Sequence, residues 1–140
     1  MTADSFVELI LKEYGTSRGR ELKAVEKATS RDYIVSDVSG EQLSGEVTGK
    51  LAALILYKSL QRLTDEKDDD WGPARNFKDI YDCRVCANAV AQVFVKGIME
   101  PLSSDEFGMT RTLTDEESET SVKRLFERTK RVTNLLELKI

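Results

Sequence analysis

The sequence predicts an all-α domain of repeated helix-loop-helix units joined by short extended segments, and three observations carry that prediction. The most apolar run, Leu43 to Leu63, repeats its hydrophobic residues at helical spacing. Val47, Leu51, Leu54 and Ile55 form one stripe, and Ala52, Leu56, Leu60 and Leu63 form a second. A helix apolar on so much of its surface is expected at the centre of a domain, enclosed by other helices. A short beat (an apolar residue, Ser or Thr, a spacer and an acid) also recurs at Met1-Thr2-Ala3-Asp4, Leu43-Ser44-Gly45-Glu46 and Leu113-Thr114-Asp115-Glu116. Each hydroxyl is placed to cap a helix N-terminus, and Glu117 completes a capping box with Thr114. Finally, the chain aligns with itself: Val25 matches Val90, Ala28 matches Val93 and Asp32 matches Gly97 at one constant offset, with Leu43 matching Leu113 across a somewhat longer loop.

Taken in order, residues 3–14 are expected as a first helix carrying Phe6, Leu9, Ile10 and Tyr14, closed by Gly15. Residues 20–31 form a second, with Leu22, Val25 and Ala28 on one face. Asp32 to Val35 is expected to be extended, and Ser36 to Gln42 a polar turn before Ser44 caps the central helix. Thr64 to Asn76 breaks the pattern, because a charged run leads into Trp71-Gly72-Pro73, which cannot continue a helix. Phe77 to Tyr81 alternates briefly. A helix from Arg84 to Lys96 then uses Ala87, Val90, Ala91 and Phe94, and Gly97 stops it, with Ile98-Met99 mirroring Tyr33-Ile34. Pro101 to Thr112 is a loop, and a capped helix follows from Asp115 to Arg128. The tail, Thr129 to Ile140, spaces Val132, Leu135, Leu136 and Ile140 as one more amphipathic helix would, with a partly extended form as the alternative. A single domain over 1–140 therefore reads as a half unit at 1–15, units at 20–63 and 77–128, and a tail at 129–140 placed to complete the first unit.

Composition narrows the function. With 40% hydrophobic and 33% charged residues, 140 residues suffice for one domain with a real core. A net charge of −4 leaves no basic excess to neutralise phosphates, which argues against nucleic acid as the main partner. No run approaches the roughly 18 apolar residues of a membrane span. Histidine is absent, which removes Ser-His and Cys-His nucleophile pairs and histidine metal sites. The expectation is a protein without enzymatic activity, cofactor or metal. No leader is visible before the first capped helix, and the chain is read as a piece of a larger surface protein.

The second full unit, residues 77–127, resembles the S-layer homology (SLH) domain of bacterial cell-surface proteins. Phe77-Lys78-Asp79-Ile80 stands for that family's F-x-D-[IV] opening, Ala89-Val90 and Val93 for its first helix, and Lys96-Gly97-Ile98-Met99 for its x-G-[IV]-[IVM]. Phe107-Gly108-Met109 keeps the loop aromatic of its F-x-P element without the proline, and Leu113-Thr114-Asp115-Glu116-Glu117 takes the place of L-T-R-A-E. The resemblance implies three helix-loop-helix units around a pseudo-threefold axis, with grooves that bind an acidic, pyruvylated secondary cell-wall polysaccharide and anchor a protein at the bacterial cell surface without covalent attachment. The family's groove arginine falls at Ala3, Gly45 and Asp115, and its tryptophan near Arg20 and Val85. The alternative is a module for contact with another surface protein that keeps the scaffold without the polymer site.

Among individual residues, Arg31, Lys96 and Arg111 flank the loops between units and are the cations best placed to meet an acidic polymer, against the plainer reading of surface charge. Trp71 either stacks on a sugar face or covers the core. Cys83 and Cys86 form C-x-x-C at a helix start, where a thiol pKa is lowered. Redox chemistry of the thioredoxin kind also calls for a strand-helix-strand setting, and a zinc site for more ligands, so packing is the leading role for both. Asp65, Glu66, Asp68, Asp69 and Asp70 lack the spacing of a calcium loop and read as a solvated linker.

Overall fold

The structure, a computed structural model, describes residues 1–132. Helices α1 (Ala3–Ser17), α2 (Ala24–Ile34), α3 (Gly40–Ser44), α4 (Gly49–Ser59), α5 (Ala87–Val95) and α6 (Asp115–Phe126) surround one core, with no extended strand among the described residues. The all-α expectation holds. α4 is the centre: Ala52, Ala53, Ile55 and Leu56 are fully buried, and the helix contacts α1, α2, α5 and α6. A π-helical turn, Leu60–Thr64, extends it until Asp65 enters the left-handed region and redirects the chain.

The central run is not one helix. Ser39, not Ser44, caps α3 through a capping box with Gln42, and the Ser44 hydroxyl donates back to the carbonyls of Gly40 and Glu41. The chain then runs extended through Gly45 to Thr48, and the Thr48 hydroxyl accepts from the Leu51 N–H to cap α4. The second cap therefore lies one helical turn beyond its expected place, and the position after it is Gly49 rather than Gly45. At the other two caps, Thr2 accepts from Ser5 N–H and Thr114 from Glu117 N–H, with the Glu117 carboxylate returning the bond. Two further boundaries differ. Gly15 lies inside α1 instead of closing it, and Tyr33-Ile34 ends α2 as helix instead of leaving it extended.

The segments leading into α1, α4 and α6 meet in a small hub. Ala3 N–H donates to Gly45 O (2.9 Å) and Val47 N–H to Met1 O (3.1 Å). Leu113 N–H donates to Val47 O (3.0 Å) and Gly49 N–H to Arg111 O (2.9 Å). The approach is so close that a Cβ at Gly49 would lie 2.3 Å from the Gly108 carbonyl oxygen. Gly49→Ala is expected to cost about 1–3 kcal/mol in urea unfolding, because backbone must move. Gly45→Ala, with only ordinary contacts around its added methyl, should stay within about 0.5 kcal/mol.

α5 ends in a Schellman motif: Ile98 N–H donates to Val93 O (2.9 Å) and Gly97 N–H to Phe94 O (3.0 Å), with Gly97 at φ +73°. Val132 N–H reaches Gly97 O at 2.9 Å, which brings the end of the described chain against this turn. Of the tail, Arg128–Lys130 is a 3-10 turn. The expectation that 129–140 completes the first unit falls, from residue 133 onward, outside the described residues.

Candidate functional site

α5 is apolar except along one edge. Asn88, Gln92 and Lys96 recur every fourth residue and so share a helix face. That edge holds the segment 65–71. Asn88 Nδ2 donates to Asp68 (2.9 Å) and to the Tyr57 hydroxyl (3.0 Å). The fully buried Gln92 amide donates to Asp69 O and accepts from Asp69 N–H, both at 2.8 Å. Lys96 Nζ donates to Lys67 O (2.8 Å) and pairs with Asp69 (2.9 Å). Asp65, Asp68, Asp69 and Asp70 are exposed, as a solvated linker requires, but the backbone of the run is pinned to α5. Its carboxylates point to different partners, and Asp70 pairs with Arg75 at 2.9 Å while accepting from Gly72 N–H. Burial, then the adjacent Asp68 carboxylate, pushes the Tyr57 phenol up to about 12.

The pinned segment delivers Trp71. Its indole N–H donates to Asn88 Oδ1 at 2.9 Å, so the same amide that grips Asp68 also orients the ring. Tyr81 stands beside it, ring centroids 6.2 Å apart and tilted by 38°. Trp71, Tyr81, Arg84, Ala87 and Asn88 line an open depression of about 370 Å³. Tyr81 is 62% exposed, and the exposed Arg84 has no carboxylate partner among the described residues. Two aromatic faces and an exposed guanidinium without a carboxylate partner among the described residues are groups that grip a sugar ring with an acidic substituent. The Asn88 amide, spent on Trp71, Tyr57, Asp68 and Gln92, holds the shelf in place.

The four residues singled out from the sequence do not converge. Trp71 lies at the shelf and Lys96 at the far end of the same α5 edge, its side chain only 6% exposed. Arg31 reaches from α2 to α1, where it pairs with Asp4 and with Glu8. Arg111 pairs with Glu117 (3.2 Å), donates to Glu100 O (2.8 Å) and lies over the Phe107 ring. Each nominated cation is already matched inside the chain. Tyr81, Arg84 and Asn88 were not singled out, although the fourfold spacing of Asn88, Gln92 and Lys96 on an apolar helix was visible.

Cys83 and Cys86 are joined by a disulfide across the 3-10 turn that starts α5. In the core Phe77, Phe94 and Phe107 cluster, with Phe77 and Phe94 edge-to-face at 4.8 Å. No protein family, no curated protein and no solved structure matches this chain.

Proposed function

We propose that this chain is a non-catalytic binding module of the S-layer homology kind, which anchors a larger protein to an acidic cell-wall polysaccharide on the bacterial surface. The observation that carries this reading is the Trp71–Tyr81 shelf with Arg84, unmatched among the described residues, at its edge. With Ala3, Gly45 and Asp115 at the positions the resemblance gives to the family's groove arginine, and Gly49 following the cap that α4 uses, recognition of an acid group passes to Arg84. Three units about a pseudo-threefold axis are part of the proposal. Its support is the hub where the lead-ins to α1, α4 and α6, each with its capping threonine, bond to one another. A disulfide fits an extracellular location, since such bonds persist in oxidising compartments.

The test is co-sedimentation with Gram-positive sacculi before and after chemical removal of the wall polysaccharide. Binding should disappear with the polymer and weaken as salt rises. Arg84→Ala, an exposed change that should leave the fold intact, is expected to weaken it about tenfold or more. Equal binding by stripped sacculi would sink the proposal. A second reading, contact with another surface protein, is favoured by the internal pairing of Arg31, Lys96 and Arg111. It predicts salt-insensitive capture of a protein and none of the polymer.

A further inference from the structure

The polysaccharide reading gives the disulfide no task, and its setting is that of a bond made to be exchanged. We infer that Cys83–Cys86 is a thiol-disulfide exchange site that accepts electrons from a cysteine pair on another polypeptide. The two sulfurs differ in access: Cys86 is 1% exposed, whereas Cys83 is only partly covered. An incoming thiolate therefore meets Cys83, and Cys86 is the leaving group. Cys86 occupies the N-cap position of α5, and no side chain caps that helix. The positive end of the α5 dipole lies at Cys86, and a leaving thiolate stabilised there speeds exchange.

The surroundings offer a landing surface. Val85 is 84% exposed and Tyr81 62%, an apolar apron beside the attackable sulfur. Arg84 lies between them in sequence with its charge uncommitted among the described residues, available to draw in a partner thiolate. A staple is poorly served here. The bond closes the short loop from residue 83 to 86, and loop-closure stabilisation is smallest for short loops. Cys86 N–H already donates to Cys83 O at 3.0 Å, so the turn has its own hydrogen bond without the sulfur bridge. The chain has no third cysteine to shuffle with, which directs exchange outward.

The electrons balance in two steps. A partner thiolate attacks Cys83 Sγ, forming a mixed disulfide as the Cys83–Cys86 bond breaks. The electron pair leaves on Cys86 Sγ, which takes up a proton. The partner's second thiolate then attacks its own sulfur in the mixed disulfide, closing the partner's disulfide and releasing Cys83, which is protonated in turn. Two electrons and two protons pass from dithiol to disulfide.

The oxidised full chain should be mixed with a reduced peptide carrying two cysteines, and both disulfides followed by alkylation and mass. Peptide oxidation matched by appearance of two thiols in the chain, with the circular dichroism unchanged, is the expected result. Cys86→Ser should also trap glutathione disulfide at Cys83 at least tenfold faster than Cys83→Ser traps it at Cys86. Exchange no faster than with a linear C-x-x-C peptide disulfide, or loss of the fold on reduction, would overturn the proposal, and either is read on the unmutated chain. Neither readout involves sacculi, so failure here is separable from failure of the anchoring function.

Discussion

Asp79→Ala should destabilise the domain by about 3–4 kcal/mol, among the largest losses available to a single polar substitution. Asp79 is 8% exposed, and its carboxylate accepts from three consecutive backbone N–H groups: Phe107 (2.9 Å), Gly108 (2.8 Å) and Met109 (3.2 Å). An alanine leaves those buried donors without an acceptor, at a cost of about 1–3 kcal/mol each if none finds water. The loop they fix presents Gly108 to Gly49 and leads into the hub, so the damage should spread to α4 and α6. Asp79→Asn, which keeps one acceptor oxygen, should lose less. Chemical unfolding of both variants checks the order, and equal stability of Asp79→Ala and the parent would show that the clasp is replaceable. The pH dependence has a definite sign. Burial pushes the carboxyl up, but the three backbone donors outweigh it, and the folded-state value lies below the ordinary one. The contribution is complete above the unfolded pKa, near 4, and is lost as pH falls through the depressed folded value.

That clasp joins two motifs the sequence displayed separately, the F-x-D opening and the loop Phe107-Gly108-Met109. What local patterning supplies, it supplied well: α1 and α6 begin at their capping threonines, and the two stripes of α4 are buried. The failure at Ser44 has a clear cause. Leu43 and Val47 keep helical spacing across residues 45–48, yet Gly45 and Val47 bond to Ala3 and Met1. Those partners lie far away in sequence, and their hydrogen bonds outweigh a local preference that Gly45 already weakens.

The site was less legible for a related reason. A cation's availability depends on whether a carboxylate lies near it in the fold; Asp4 and Glu100 reach Arg31 and Arg124 only through tertiary packing, and Glu117 reaches Arg111 across the turn into α6. Arg84 is available because the fold brings no acid to it among the described residues. The linker was legible in part: its charge suggested hydration, and Asp65 and Asp68 to Asp70 are exposed, but the buried Gln92 pairs with its backbone as a neighbouring strand would.

The end of that linker carries the second large effect. Glu66→Ala should cost about 3–5 kcal/mol, because breaking a buried pair leaves uncompensated charge behind. Arg131 grips Glu66 through two bonds of 2.8 Å, Arg128 approaches at 3.0 Å, Lys96 at 3.9 Å, and the Thr64 hydroxyl donates at 2.9 Å. The Glu66 and Arg131 side chains are only 8% and 11% exposed, so either charge left alone would be poorly hydrated. Burial alone would push the Glu66 carboxyl up, and the Arg131 and Thr64 bonds, with the Arg131 and Arg128 charges, bring it down to about 2. The stabilisation is therefore intact above the unfolded value, about 4.3, and is lost progressively as pH falls toward 2. Glu66→Gln should remove this share of the acid dependence while keeping part of the stability. Because Arg131 follows the last helical turn, the pair also ties the end of the described chain to the linker, beside the Val132–Gly97 bond. Deleting residues 129–140 should then lower the melting temperature as Glu66→Ala does. Glu66→Ala should cost less in the shortened chain than in the full one, since both changes remove the Glu66–Arg131 pair. Additive losses would instead mean that the tail and Glu66 stabilise the domain independently.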